Sequence, residues 1–238
     1  MIRQLGPPTF FVTFTSAEHQ WPPLVSTLTE LYKARQKQTH TETLEDHDID
    51  FLIRKDPVTC SHYYRHRINA LKHLICHDAT FFGKVVDFYF VTEFQNRGNE
   101  HEHGLLWVED APIYGSDSNL EIANFLDKYL TCDTDHLDPA LAKFHRHHHT
   151  RSCKKRRNSH CRYNFPMPPM KNTTVLEPIT SLDSALADKS RSLFTSLDKK
   201  NYDIKMTFED FLLEMDLEEH QYIQLIQCKL KQPTIFLK

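Results

Sequence analysis

Glu93, His101 and His103 sit in the stretch EFQNRGNEHEHGLLW, residues 93–107. In a strand the side chains alternate faces, so His101 and His103 point the same way, one pleat repeat apart. That spacing lets both imidazoles reach one ion. With a turn centred near Arg97 and Gly98, an even register sets Glu93 and Gln95 opposite His103 and His101. Glu93 then completes a His-His-carboxylate face whose remaining positions stay open for water and a substrate oxygen, as in a catalytic metal centre. The mixed N/O donors suit Mg²⁺ or Mn²⁺, with Zn²⁺ an alternative. The competing reading is a hairpin decorated with exposed histidines, in a chain that has 16 of them.

A second group of ligand-type residues lies in HRHHHTRSCKKRRNSHC, 145–161. His147, His149, Cys153 and Cys161 offer a structural zinc knuckle, although H-x-H-x₃-C-x₇-C is not a standard finger spacing. His145, His148 and His160 are alternates, and a solvated basic loop with two incidental cysteines is the competing reading. No acidic residue occurs from Pro139 to Leu176, while Lys143, Arg146, Arg151, Lys154, Lys155, Arg156, Arg157, Arg162 and Lys171 all fall inside. This concentrates positive potential beside Tyr163 and Phe165, rings able to stack on bases. Arg151, Lys154, Lys155, Arg156, Arg157 and Arg162 are accordingly candidate DNA-binding residues, or a nuclear-localisation signal.

The totals bound the rest. With 238 residues, 39% of them hydrophobic, the chain can bury one sizeable core or a core with a satellite. A net charge of −3 hides the local basic run. Only 5 glycines occur, and no G-x-x-x-x-G-K-[ST] is present, so no P-loop is expected. The first residues read as no signal peptide, no run approaches a membrane span, and the 6 scattered cysteines do not form a disulfide framework.

The elements that must position these residues follow from periodicity. TFFVTFT (9–15) alternates Phe10, Val12 and Phe14 against Phe11, Thr13 and Thr15, a strand buried mainly on one side. Ser16 is expected to cap a helix that Pro22 and Pro23 break or restart. KQTHTETLEDHD (37–48) reads as exposed. Residues 56–77 read as a helix with Tyr64, Ile68, Leu71, Leu74 and Ile75 on one face. Residues 84–94 and 101–110 read as the strands of an antiparallel hairpin, with Trp107 assigned to the core. Residues 120–132 are helical in spacing, 177–206 a polar linker of weak helical character, and 207–238 two short helices signalled by Thr207 with Asp210 and by Asp216. Cys60, Cys76, Cys132 and Cys228 read as buried thiols on apolar helix faces.

GKVVDFYFVTEFQNRGNEHEHGLLWVEDAP resembles the Helitron helicase-like N-terminal domain, the Rep-type HUH endonuclease part of rolling-circle transposases. GPPTFFVTFTSAEHQWPPL resembles the opening strand motif of that family, and DPVTCSHYYRHRINAL its preceding helix. FLDKYLTC, HTRSCKKRRNSHCRYNFPMPP and QPTIFLK resemble later blocks, in the same order. The resemblance implies a cation held by two histidines and a polar third ligand against the scissile phosphate. A tyrosine attacks, leaving a 5′-phosphotyrosine and a free 3′-hydroxyl. His101 and His103 fall on the motif histidines and Glu93 on its glutamate. Glu102 departs from the apolar residue usual between the histidines.

The family's tyrosines follow the PTIFLK block, on which this chain ends. The expectation is therefore a fragment or decayed copy with no catalytic residue assigned; Tyr222 belongs to an apolar stripe. The fold expected is α+β, an antiparallel sheet flanked by helices. Its divisions are a Rep/HUH-like metal-binding core (1–138), a basic His/Cys and Pro-rich segment (139–176), a linker (177–206) and a helical tail (207–238). The expected function is metal-dependent nicking and joining of single-stranded DNA in the nucleus, with a downstream helicase region of the same polyprotein as a further partner and no membrane. The alternative from another class is a non-catalytic DNA-binding module using the basic zinc-knuckle segment; a structural remnant with neither role is the third reading.

Overall fold

A strand of alternating hydrophobicity can bury only one face, and β1 (Phe10–Thr15) does so: Phe10 is buried, whereas Phe11, Thr13 and Thr15 are exposed. In the computed structural model it pairs antiparallel with β3 (Glu100–Val108), which pairs on its other side with β2 (Val85–Phe94). The order is β1-β3-β2, so the histidine-bearing strand is central in a three-stranded sheet. The structure describes all residues except 1, 37–45, 95–99, 131–136, 140, 143–146, 148, 151–152, 155–160, 164, 166, 181–182, 200–206 and 238. The chain divides into two compact units, Met1–Ala111 and Pro112–Lys238.

In the first unit, α1 (Ile2–Leu5) precedes β1, and a short 3₁₀ turn (Glu18–Gln20) follows it. Ser16 is buried and caps nothing; α2 (Pro22–Gln36) instead begins on the proline pair, where a missing N–H costs nothing. Helix α3 (Asp46–Lys55) was not anticipated by the reading of its surroundings as exposed. Its Leu52 packs with Leu24 and Leu28 of α2 and Cys60 of α4 (Pro57–His77). The Asp56 side chain accepts from Thr59 N–H at 3.1 Å to cap α4, and Pro57 occupies the first turn. Its buried face is Cys60, Tyr64, Ile68 and Ile75; the expected Leu74 is instead exposed at 41%. A four-residue turn of helix, α5 (Ala79–Phe82), leads into β2.

Of the thiols read as buried, Cys60 is so, Cys76 and Cys228 are half-buried, and Cys132 lies outside the described residues. Trp107 is buried as expected, its indole N–H donating to Gly6 O at 3.2 Å.

The second unit opens with α6 (Asn119–Tyr129), fixed by a reciprocal Ser118–Glu121 capping box. The stretch read as a weakly helical linker carries α7 (Ser184–Lys199), with Leu193 and Leu197 buried. They join Leu176, Phe211, Tyr222, Leu225, Ile226 and Phe236 in one core. Helix α8 (Phe208–Met215) is capped by Thr207, as its sequence signal requires. Asp216 ends that helix in the left-handed region (φ 53°) rather than starting the next, and α9 (Glu219–Gln227) is capped by Glu218 with Gln221. The PTIFLK block forms β5 (Thr234–Phe236), paired antiparallel with β4 (Thr174–Leu176). Among the described residues no helix is long and apolar enough to cross a membrane.

Candidate functional site

Directly paired residues of neighbouring strands share a face, so the register builds the site row by row. Thr15, His101 and Glu93 form one row across β1, β3 and β2, and Thr13, His103 and Val91 the next. Phe11, Leu105 and Tyr89 make a third. The register therefore sets Glu93 opposite His101, two residues from the pairing expected with His103. The turn residues Gln95, Arg97 and Gly98 on which that expectation rested lie outside the described residues.

Glu93 nevertheless reaches His103. Its Oε2 lies 2.8 Å from His103 Nε2, on the diagonal of the ladder. The other ring nitrogens are anchored from β1: Thr13 Oγ1 is 3.2 Å from His103 Nδ1, and Thr15 Oγ1 is 3.2 Å from His101 Nδ1. With Nδ1–H donating to the threonine oxygen, each Nε2 presents its lone pair, the tautomer required of a metal ligand. A lone pair facing a carboxylate oxygen at 2.8 Å needs a proton or a cation between them. The structure thus brings Glu93 to His103, while His101, 9% exposed, is held by Thr15, and the three donors do not converge closely enough among the described residues to form an ion site as they stand. The two imidazoles lie nearly parallel, 11° apart with centroids at 6.1 Å.

The reverse face of β3 is built differently. Glu102 is 2% exposed; it forms an ion pair with Lys72 of α4 and accepts from Thr92 Oγ1 at 2.8 Å. Glu100, also buried, accepts from Ser61 Oγ at 2.6 Å. Tyr64 donates to Phe14 O at 3.1 Å, and burial together with the Glu102 and Glu100 carboxylates pushes its phenol up to about 12. Helix α4 is thereby tied to β1 and β3 through polar contacts beneath the histidines. Gly104 follows His103 because a Cβ there would come within 2.3 Å of the Phe90 ring and 2.8 Å of Val12 Cγ2.

In the second unit, the ligand atoms of His147, His149, Cys153 and Cys161 all lie within 4.8 Å of one another. Cys161 Sγ is 3.3 Å from His147 Nε2, and Cys153 Sγ is 3.6 Å from His149 Nδ1. Edges of about 3.3–3.8 Å are those of a tetrahedral N₂S₂ zinc site, so the cluster could hold a metal such as zinc. Both cysteines are buried. Burial opposes ionisation of Cys161, but the N–H groups of Phe165 and Tyr163, the Cys153 thiol and the Lys154 charge outweigh it and hold the thiol below its ordinary range. Phe165 stacks on the His147 ring, with centroids 4.3 Å apart, and Arg162 lies over Tyr163 at 4.6 Å. Of the candidate DNA-binding residues, Lys154 and Arg162 are described here; Arg151, Lys155, Arg156 and Arg157 are outside the described residues, as are His145, His148 and His160.

Tyr222 is fully buried, with its hydroxyl donating to Pro169 O at 2.9 Å, which settles it as a core residue. Thr13, Thr15 and Phe11 were missed as site residues in the sequence. Their shared parity on β1 was visible, but the pairing that carries them to His101 and His103 was not. Lys72 gave no signal at all, since its role depends on α4 lying against the sheet.

The fold and site define an α+β protein with a histidine pair on the central strand of an antiparallel sheet. Residues 1–106, less than half of the chain, match the family model described as the Helitron helicase-like domain at N-terminus. The match supports a role related to Helitron transposases and to DNA; it ends at Leu106, within β3. No match was found among curated proteins or among solved structures.

Proposed function

We propose that the first unit is the metal-holding part of a single-stranded DNA nicking and joining domain of a Helitron-type rolling-circle transposase. The observation that carries this reading is the His103–Glu93 contact, with both imidazoles anchored by threonines, in the part of the chain that matches the Helitron helicase-like domain. When bound, Mg²⁺ or Mn²⁺ supplies Lewis-acid polarisation of a phosphoryl oxygen. Thr13 and Thr15 would hold the ring planes of His103 and His101, and Glu93 would offer negative charge to the cation. No tyrosine of the chain is assigned as the attacking group. The reading places the protein in the nucleus, with single-stranded DNA as partner and a helicase region of the same polyprotein downstream.

The test is cleavage of a labelled single-stranded oligonucleotide with Mn²⁺. Extended past Lys238 so as to supply a tyrosine-bearing segment, the protein is expected to nick, and His103→Ala and His101→Ala to abolish nicking without loss of oligonucleotide binding. Binding without cleavage by that extended protein with every divalent ion, unchanged in His101→Ala, rejects this reading in favour of a second.

That second reading is a non-catalytic DNA-binding module in which structural zinc on His147, His149, Cys153 and Cys161 orders the basic segment. It is favoured by the convergence of four donors beside Lys154, Arg162, Tyr163 and Phe165. Metal analysis is expected to find one zinc fewer per chain in a Cys153→Ser/Cys161→Ser variant. Unchanged zinc content rejects the knuckle.

A further inference from the structure

We infer that Phe11 is a base-stacking residue for single-stranded DNA at the histidine face. This rests on the nicking reading only for its substrate, since the geometry stands by itself. A phenylalanine at 65% exposure contributes little to the core, and its neighbours Phe10 and Val12 already supply the buried face of β1. Phe11 instead lies on the histidine side, paired with Leu105 one row from Thr13 and His103.

Its ring packs nearly parallel to the His103 imidazole, 12° between planes and 5.6 Å between centroids. His101 continues the series behind His103 at 11° and 6.1 Å. Three flat rings thus share one orientation along the face, and the outermost is open to solvent. Across Leu105 the same row holds Tyr89, 51% exposed, and the row of His103 holds Val91, 46% exposed. An apolar, aromatic surface therefore adjoins the polar centre directly.

The occupant that matches both parts is a nucleotide strand. Its phosphate suits a cation at His101, His103 and Glu93, and its base has a π-face for Phe11. Stacking of this kind is sequence-tolerant, because every base presents such a face. Phe11 also limits how the His103 ring can rotate, so a base seated on it would meet a ring already aligned.

The experiment separates stacking from charge and from cleavage. Phe11→Trp places an emitting indole at the site, and titration with oligothymidylate is compared with an abasic oligonucleotide of equal length, in EDTA. Quenching by the thymidine strand with none by the abasic strand is expected. Phe11→Leu, checked for native circular dichroism, is expected to bind oligothymidylate about tenfold more weakly, with abasic binding unchanged. Equal quenching by both strands, or by neither, overturns the proposal. Quenching that persists while the protein extended past Lys238 fails to nick with Mn²⁺ upholds stacking and rejects the nicking reading. Nicking without selective quenching does the reverse.

Discussion

Glu93 is paired across the ladder with His101, yet its carboxylate bonds His103, 2.8 Å away on the diagonal. The long, exposed glutamate side chain reaches one pleat along β2, and a shorter aspartate at the same position would not. If this diagonal marks the ion position, Glu93→Gln keeps the shape and removes the charge. Mn²⁺ affinity by calorimetry is expected to fall tenfold or more, on the order of what lost metal-site partners cost. Glu93→Asp should fall comparably, because reach is lost. Wild-type affinity in Glu93→Gln would remove this residue from the ligand set.

Lys72 neutralises Glu102 under the histidine strand, where the carboxylate is 2% exposed. Removing one partner of a buried ion pair leaves an uncompensated charge. Lys72→Met is therefore expected to lower unfolding stability by about 3 kcal/mol in urea denaturation. Lys72→Met/Glu102→Leu should recover most of it, since apolar replacement of both partners is often neutral or better. A double variant no more stable than the single would reject the charge explanation.

Gly104 is dictated by crowding on the face opposite the histidines. Gly104→Ala drives a methyl into the Phe90 ring and Val12, and is expected to cost about 1–3 kcal/mol by overpacking. Because the near atoms belong to the Phe90 side chain, the cost should shrink in a Phe90→Leu background, read as a double-mutant coupling. An equal cost in both backgrounds would point to the backbone instead.

Alkaline stability follows from two raised groups. Burial, then Glu18 and Asp56, push the Cys60 thiol from 9.0 up to about 11, and the Tyr64 phenol stands at about 12 against an ordinary 10.0. Both are neutral when protonated, so between each unfolded and folded value the unfolded chain has released a proton that the folded one keeps. Stability is then complete below about pH 9 and falls as pH rises toward 12. Tyr64→Phe should flatten the part of the fall between pH 10 and 12. It should also lower stability at neutral pH by about 1 kcal/mol for the lost bond to Phe14 O. An unchanged alkaline slope in Tyr64→Phe would show that Tyr64 is not the titrating group.

Local signals carried far in this chain. The alternation of TFFVTFT and of β2 and β3, the Asp56–Pro57 helix start, the capping at Thr207 and the burial of Trp107 and Tyr222 are consequences of periodicity and cap chemistry acting within a few residues. The same period placed His101 and His103 on one face, whereas the non-standard spacing of His147, His149, Cys153 and Cys161 left their convergence open until the folded chain brought the four donors within 4.8 Å of one another. What those signals could not fix was anything set by distant partners.

The register of β2 on β3 moved Glu93 from one histidine to the other, since a two-residue slip conserves every face and leaves the hydrophobic pattern satisfied. The polar segment before α8 became the core helix α7 because Leu193 and Leu197 found Phe211, Leu225 and Ile226 to cover them. Glu102, which alternation alone could have left in solvent, is buried because α4 brings Lys72 to it. The sequence by itself thus determined which residues share a face and which could ligate. Tertiary structure decided which of them meet, because pairing strands and docking helices bring together groups 90 residues apart, as in the Thr13–His103 contact.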